Sequence, residues 1–300
     1  MGKLCDFVVA MIVRFMGLSV FNERLVLSLF RPLRTTFPIR CLWWRLVPAY
    51  RTNMRPNGPQ LRWVRIPGTS YALKIDIWGM LGGVYFNRTP YEPKTSALLS
   101  RLLQPGMVFA DIGANAGYFS FLAAHAIGSE GKVLAFEPSP VIRSVFEESL
   151  KRNHLASRVD LYSYALSDRD HATCKLYIPV NPSDSGISSI SPWQGHFEAG
   201  MMHKDSTIDV QIRTFDSIAA EIGLARLDVV KMDVEGAELS VLQGMHNVIG
   251  RLRPQYLIVE TSMGSDVDVF LREHGYVPEV IEFLKVEEQW GNILFFRKHA

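Results

Sequence analysis

Val108-Phe-Ala-Asp111-Ile-Gly113-Ala-Asn115-Ala-Gly117-Tyr-Phe-Ser120 is the stretch on which the fold turns. A short apolar run ends in a carboxylate, passes two glycines and enters an apolar segment that closes at Gly128. The pattern predicts a strand over Met107–Asp111 and a helix over Ala116–Ile127. Gly113 and Gly117 would let the backbone approach a ligand closely, and the helix start would supply free N–H groups. Asp111 would point into the crevice outside the carboxyl ends of the strands, where open α/β sheets bind ligands. A carboxylate there suits a cationic or amino-bearing ligand, not a phosphate. A GxGxxG dinucleotide turn anchored at Gly113 needs glycine at 115 and 118, where this chain has Asn115 and Tyr118. A nicotinamide oxidoreductase is disfavoured on that ground.

The alternation continues on both sides of this turn. Lys132–Phe136 reads as a second strand, Pro140–Asn153 as a helix, and Val159–Leu166 as a third strand. Asp228–Met232 and Tyr256–Val259 are the fourth and fifth, with helices at Ala237–Met245 and Asp266–His274. Tyr276–Phe283 and Asn292–Arg297 form a closing hairpin, which would insert one antiparallel strand near the sheet edge. Strands alternating with helices imply an α/β fold, a mostly parallel sheet with helices on both faces. Ahead of it, 61–66 and 71–77 flank Pro67-Gly68 as a hairpin, and Thr95–Gln104 reads as a lead-in helix. Residues 170–213 interrupt the alternation with two strands around a Ser/Pro/Gly-rich loop at 181–191, an insertion suited to a substrate pocket.

A second carboxylate strengthens the reading of a nucleoside crevice. The strand Lys132–Phe136 ends in Glu137-Pro138. A carboxylate at that tip can accept hydrogen bonds from both ribose hydroxyls; the plainer alternative is a solvated strand end.

These residues, with Ala165-Leu166-Ser-Asp and Val230-Lys231-Met-Asp233-Val-Glu235-Gly236-Ala-Glu238, resemble the FkbM-type methyltransferases. Tyr91-Glu92 and Glu260 fit as well, and the resemblance runs from about residue 85 to 262. It implies a class I methyltransferase-like (Rossmann-like) seven-stranded sheet with the last strand antiparallel, binding S-adenosylmethionine. Asp111, Gly113, Ala114, Asn115 and Gly117 would then line the methionine and ribose region. Glu137, followed by Pro138, would hold the ribose, and Ala165 and Leu166 would flank the adenine.

The cluster after the fourth strand would face the same crevice. Strand geometry puts Lys231 and Asp233 on one face. Glu235 opens the turn, and Glu238 starts a helix, where an acid favours the dipole. Three neighbouring carboxylates need a positive partner: Lys231, the sulfonium, or a divalent metal such as Mg²⁺. No metal is assigned, because two of these acids can serve as helix-start residues. Asp233 or Glu235 is the expected base for a hydroxyl acceptor, with Lys231 beside them. His203 and His246 are alternatives without a motif, and Glu260 fits either an orienting or a structural role.

The first 80 residues lie outside the resemblance. Residues 1–65 carry eleven basic residues against Asp6 and Glu23, a balance of +9; the remaining 21 basic and 28 acidic residues give −7. Such a segment would meet something anionic or dock on the acidic part. Phe7–Phe21 is almost wholly apolar, and Arg34–Arg45 interleaves arginines with Phe37, Trp43 and Trp44. That composition fits peripheral membrane contact through residues 1–50; the alternative is a cap on the main domain. As one helix the apolar run reaches about 22 Å, short of a bilayer core of roughly 30 Å. The expected organisation is therefore a helical, arginine-rich extension over 1–60, a hairpin and lead-in helix over 61–104, and a methyltransferase domain over 105–300.

With 48% hydrophobic and 21% charged residues the chain is neither disordered nor low-complexity. Cys5, Cys41 and Cys174 are odd in number and unpaired in sequence, which excludes a disulfide framework and fits a reducing, cytoplasmic setting, at the inner face of a membrane if the extension binds one. The expected activity is O-methylation of a small-molecule or glycan acceptor: a sugar, a glycan end or a secondary metabolite. A non-catalytic S-adenosylmethionine-binding adaptor at a membrane surface is the alternative. Nucleic acid is not expected as a partner, since Asp-Val-Glu-Gly replaces the Pro-Pro-aromatic signature of amino-directed nucleic-acid enzymes and the basic residues are concentrated outside the catalytic part. Oligomeric state is left open.

Overall fold

The computed structural model describes residues 2–31, 45–50, 59–192, 194–285 and 289–298. The arginine–aromatic run 34–44 lies outside them. Seven strands form the central sheet: β3 (Val108–Ile112), β4 (Lys132–Phe136), β5 (Val159–Tyr162), β9 (Val229–Met232), β10 (Tyr256–Ser262), β11 (Val277–Lys285) and β12 (Trp290–Phe296), in the order β11-β12-β10-β9-β3-β4-β5. β12 alone runs antiparallel to both its neighbours, β10 and β11. From β3 the chain proceeds outward to β4 and β5, and β9 lies on the other side of β3. The strand order therefore reverses between β3 and β9, which opens a crevice at their carboxyl ends.

Period-two alternation divides the apolar residues between the two faces. Phe109, Val133, Ala135, Val229 and Ile258 share one core with helices Tyr118–Ile127 and Pro140–Asn153. Ala110, Ile112, Leu134, Val230, Met232 and Val259 share the other with helices Phe215–Glu221, Glu238–Gln243, His246–Arg251 and Asp266–Glu273. The sheet is thus covered on both faces, as expected of a strand–helix alternation.

The expected third strand is not continuous. β5 ends at Tyr162, and Ala165–Leu166 (β6) leaves the central sheet to pair in parallel with β8 (Met202–Arg213). β8 also pairs antiparallel with β7 (Ala172–Pro179), giving a three-stranded sheet with its own small core of Ala165, Leu176, Val210 and Ile212. β8 begins five residues before the strand expected at Thr207.

Nor is the apolar run at the start of the chain one helix. Gly2–Leu18 and Val20–Phe30 are separate, broken at Ser19, whose side chain accepts from Asn22 N at 3.1 Å and caps the second helix. Val9, Val13, Met16, Val26 and Leu27 bury against the core that holds Ile75, Trp78 and Phe86. Glu23 is fully buried and takes Arg62 Nη2 at 3.2 Å along with the Tyr50 and Tyr85 hydroxyls. The hairpin of β1 (Leu61–Arg65) and β2 (Ala72–Asp76) docks on Pro140–Asn153, where Ser149 Oγ and Asn153 Oδ1 accept the edge N–H groups of Lys74 and Ala72 at 3.0 and 2.9 Å. Among the described residues no helix is long and apolar enough to cross a membrane.

Candidate active site

Strand register assembles a polar corner at the carboxyl edge of one sheet face. Asp111 on β3 pairs with Lys231 on β9, and Lys231 with Ile258 on β10. Two residues on, the same face carries Asp233 and Glu260, and Glu260 pairs with Asn292 on β12. Lys231 is 2% exposed, its Nζ 3.1 Å from Asp233 Oδ2 and 4.7 Å from the Phe119 ring centre. Burial by itself lowers the pKa of the Lys231 ammonium. Asp233, Glu92, Asp111 and Glu260 outweigh that together and hold it above its ordinary value. Glu92 and Glu260 are pushed up by burial first; Asp233 adds to the rise and Lys231 opposes it. Glu92 sits on this corner because Asn292 Nδ2 donates to its Oε2 at 3.0 Å.

The two glycines of the deciding stretch make close approaches within the protein. Gly113 has φ +80, and a Cβ there would lie 1.8 Å from the Asp233 carbonyl oxygen. Gly117 has φ +92, and a Cβ there would meet the Phe146 ring at 2.5 Å. The first locks the turn after β3 against the turn after β9; the second seats Tyr118–Ile127 on Pro140–Asn153.

Glu137 is 5% exposed, and its oxygens accept from Ser139 N at 2.8 Å and Asn115 N at 2.9 Å. Burial raises its pKa to about 7, against the pull of those two N–H groups. Asp111 rises to about 6, chiefly through burial, with Lys231 and Ser120 opposing. It is 1% exposed, and Ser120 Oγ donates to its Oδ2 at 2.6 Å, so it lies beneath the crevice rather than opening into it.

Three clefts meet at Asp233. The first, about 550 Å³, is lined by Gly113, Asn115, Glu137, Pro138, Ala165 and Leu166, with Phe136, Ile142 and Leu176 as apolar walls. The second, about 1100 Å³, is lined by Gly113, Ala114, Asn115 and Lys231 together with Tyr91, Tyr118 and Phe119. The third, about 1950 Å³, holds Glu92, Glu235, Glu238 and Glu260 with His196 and Trp290. Apart from the two alternative histidines, only Asp111 and Gly117 of the residues expected from sequence line none of the three. Glu238 takes the Val234 and Gly236 N–H groups at 3.2 and 3.1 Å and so ties the turn that carries Asp233 and Glu235. Among the described residues no cluster of three or more His, Cys, Asp or Glu side chains is arranged to hold a metal ion.

The insertion closes over this region. Ser189 Oγ donates to the Glu235 carbonyl at 2.6 Å, and residues 183–191 contribute to all three clefts. Neither alternative histidine is there: His246 sits against His274, 3.3 Å from nitrogen to nitrogen, and His203 is exposed on β8. Sequence reading missed His196, Asn292 and Trp290. The alternation of the last strand puts Asn292 on one face with Leu294, which was its only sequence signal.

The pattern of the Methyltransferase FkbM domain matches residues 111–278. The AMB antimetabolite synthetase AmbE of Pseudomonas aeruginosa is 28% identical over 236 residues, 65% of this chain but 11% of that protein's length. The 31-O-demethyl-FK506 methyltransferase FkbM of Streptomyces tacrolimicus is 28% identical over 196 residues, 58% of this chain and 74% of its own. Among solved structures, the Methyltransferase FkbM of Methylobacillus flagellatus matches with a TM-score of 0.40 and 16% identity, covering 69% of this chain and 51% of that one.

Proposed function

The chain belongs to the FkbM methyltransferase family, and from that premise we propose that it methylates a hydroxyl of a sugar, glycan end or secondary metabolite with S-adenosylmethionine as donor. The observation that carries this reading is the convergence of three clefts on Asp233, held 3.1 Å from a buried ammonium.

The residues fit the donor. Each Glu137 oxygen accepts one backbone N–H and keeps acceptor capacity for a ribose hydroxyl. The apolar walls beside Ala165 and Leu166 suit a purine, with Pro138 at the rim. Gly113, Ala114 and Asn115 would line the methionine half, with Asp111 and Gly117 supporting the turn from below. When bound, S-adenosylmethionine supplies a methyl group on a sulfonium, whose C–S bond breaks as the acceptor oxygen forms its C–O bond. Asp233 takes the hydroxyl proton, Lys231 holds its carboxylate in place, and Glu235 lines the acceptor side. The segment 183–191 excludes water from the junction.

The test is calorimetric titration with S-adenosylhomocysteine, for the wild type and Glu137→Ala, with and without Mg²⁺. Micromolar binding lost in the variant and indifferent to Mg²⁺ is expected. Absence of binding by folded wild type overturns the reading, and Mg²⁺ dependence would bring a metal back.

One observation favours membrane contact as well. Met11, Phe15, Leu18, Leu25 and Leu29 are exposed on the first two helices beside the exposed Arg14 and Arg24. Apolar side chains flanked by arginines suit an anionic lipid surface. Co-sedimentation with anionic vesicles should fall for a Leu18→Ser, Leu29→Ser double variant, and unchanged binding removes the proposal.

A further inference from the structure

Resting on the methyl-transfer reading, we propose that the acceptor carries an amino group near the methylated hydroxyl, in the manner of an amino sugar, and that Glu260 selects it. Glu260 closes β10 on the face that carries Asp233 and lines the third cleft with it. It is 7% exposed, and what acts on its carboxylate is burial, then Asp233, Lys231, Glu235 and Glu92 as charges. Among the described residues its carboxyl group accepts no hydrogen bond. Its strand neighbour Asn292 gives its amide to Glu92 instead. A buried carboxylate without a donor is expensive, so the donor belongs on the molecule that fills the cleft.

The walls say which kind of donor. Glu92, Asp233, Glu235 and Glu260 all line this cleft, and among the described residues no lysine or arginine does. Glu238 is already turned onto the backbone of its own loop. Lys231 answers Asp233, and the donor's sulfonium adds one more cation, against the carboxyl groups of Glu92, Asp233 and Glu260 on the same cleft. A uronate, phosphate or sulfate would meet these carboxyl groups and, among the described lining residues, no lysine or arginine. An ammonium would meet Glu260 directly and would gain from the Tyr91 and Trp290 rings on the same cleft.

The experiment loads the full-length protein with S-adenosylhomocysteine and titrates three probes built on one pyranoside ring: methyl glucosaminide with an ammonium at C2, neutral methyl glucoside, and methyl glucuronide with a carboxylate at C6. The glucosaminide should bind about tenfold more tightly than the glucoside, as a hydrogen bond between charged groups does over a neutral one, with the glucuronide weakest. Glu260→Gln should bring the first two within about twofold, and S-adenosylhomocysteine affinity is read alongside so that a damaged adenosine cleft is not mistaken for lost selectivity. If that variant does not fold, Glu235→Gln should weaken the glucosaminide about threefold and leave the glucoside unmoved. Equal or tighter binding of the glucuronide, a preference that survives both substitutions, or no binding of any probe by loaded protein overturns the proposal. Failure of the wild type to bind S-adenosylhomocysteine would refute the methyl-transfer reading beneath it instead.

Discussion

Glu137 makes the sharpest physical prediction, because its carboxylate is buried yet must be ionised to accept two ribose hydroxyls. Folding raises its pKa from 4.5 to about 7, burial outweighing the Ser139 and Asn115 N–H groups. Between those values the folded protein holds a proton that the unfolded chain has lost. Stability linked to Glu137 is therefore fully present below about pH 4.5 and is lost as pH rises through about 7. A shift of that size corresponds to about 3 kcal/mol, most of it between about pH 5 and about pH 8. Glu137→Gln cannot ionise, keeps the shape, and retains one acceptor for one of the two N–H groups. The assay is denaturant unfolding of both proteins across that range without ligand. The difference between the two unfolding free energies should move by about 3 kcal/mol in favour of the variant from acid to alkaline pH, since other titrating groups cancel in it. At low pH the variant should be less stable by about 1 kcal/mol, the cost of the unmatched N–H. Parallel curves would refute the argument, because they would show that Glu137 is solvated or already ionised at low pH. Binding of S-adenosylhomocysteine should show the complementary trend and strengthen through about pH 7 as the carboxylate forms.

Asp233→Asn should lower turnover by about 10²–10⁴-fold with S-adenosylhomocysteine affinity nearly kept, read by steady-state kinetics and calorimetry; full turnover would remove Asp233 as the base. Gly113→Ala should cost about 2–4 kcal/mol in denaturant, because its Cβ would lie 1.8 Å from the Asp233 carbonyl; wild-type stability would mean that the two turns are not locked together. Arg62→Met should cost about 3–5 kcal/mol and expose residues 2–31 to proteolysis, since Glu23 would be left buried without its cation; adding Glu23→Gln should restore much of it, and a cost unchanged in the double variant counts against the pairing.

The sheet was legible where a local pattern and a global requirement coincide. An apolar strand, a turn and a helix recur along 107–153, and each step leads to an adjacent strand. The pairing of Lys231 with Asp233 follows from a period of two on a buried strand. The split at Ser163–Tyr164 was not legible, because nothing there breaks a strand. Ala165–Leu166 leaves the central sheet only because β8 offers a partner from almost fifty residues later. The glycines show the same limit. Their positive φ is written in the sequence, but the Asp233 carbonyl and the Phe146 ring that fill the space are decided by packing.

Among the described residues, part of the basic surplus is used within its own segment. A segment of +9 preceding a remainder of −7 invites docking of one on the other. Arg62 instead meets Glu23, an acid of its own segment, and Arg31 donates to the Tyr85 and Phe86 carbonyls at 2.6 and 2.8 Å. Glu23 is buried at the centre of this arrangement, with two tyrosine hydroxyls completing its shell. The first two helices are thus held by one buried acid and an apolar seam. The acids of the catalytic part concentrate around Lys231 and the third cleft. Arg14 and Arg24 remain at the surface beside exposed leucines. Among the described residues, Arg14 and Arg24 are placed to meet a partner of opposite sign. The proposed anionic surface at the first helices and the proposed cationic acceptor at Glu260 would draw on separate sites, so substitutions in one should leave the binding at the other unchanged.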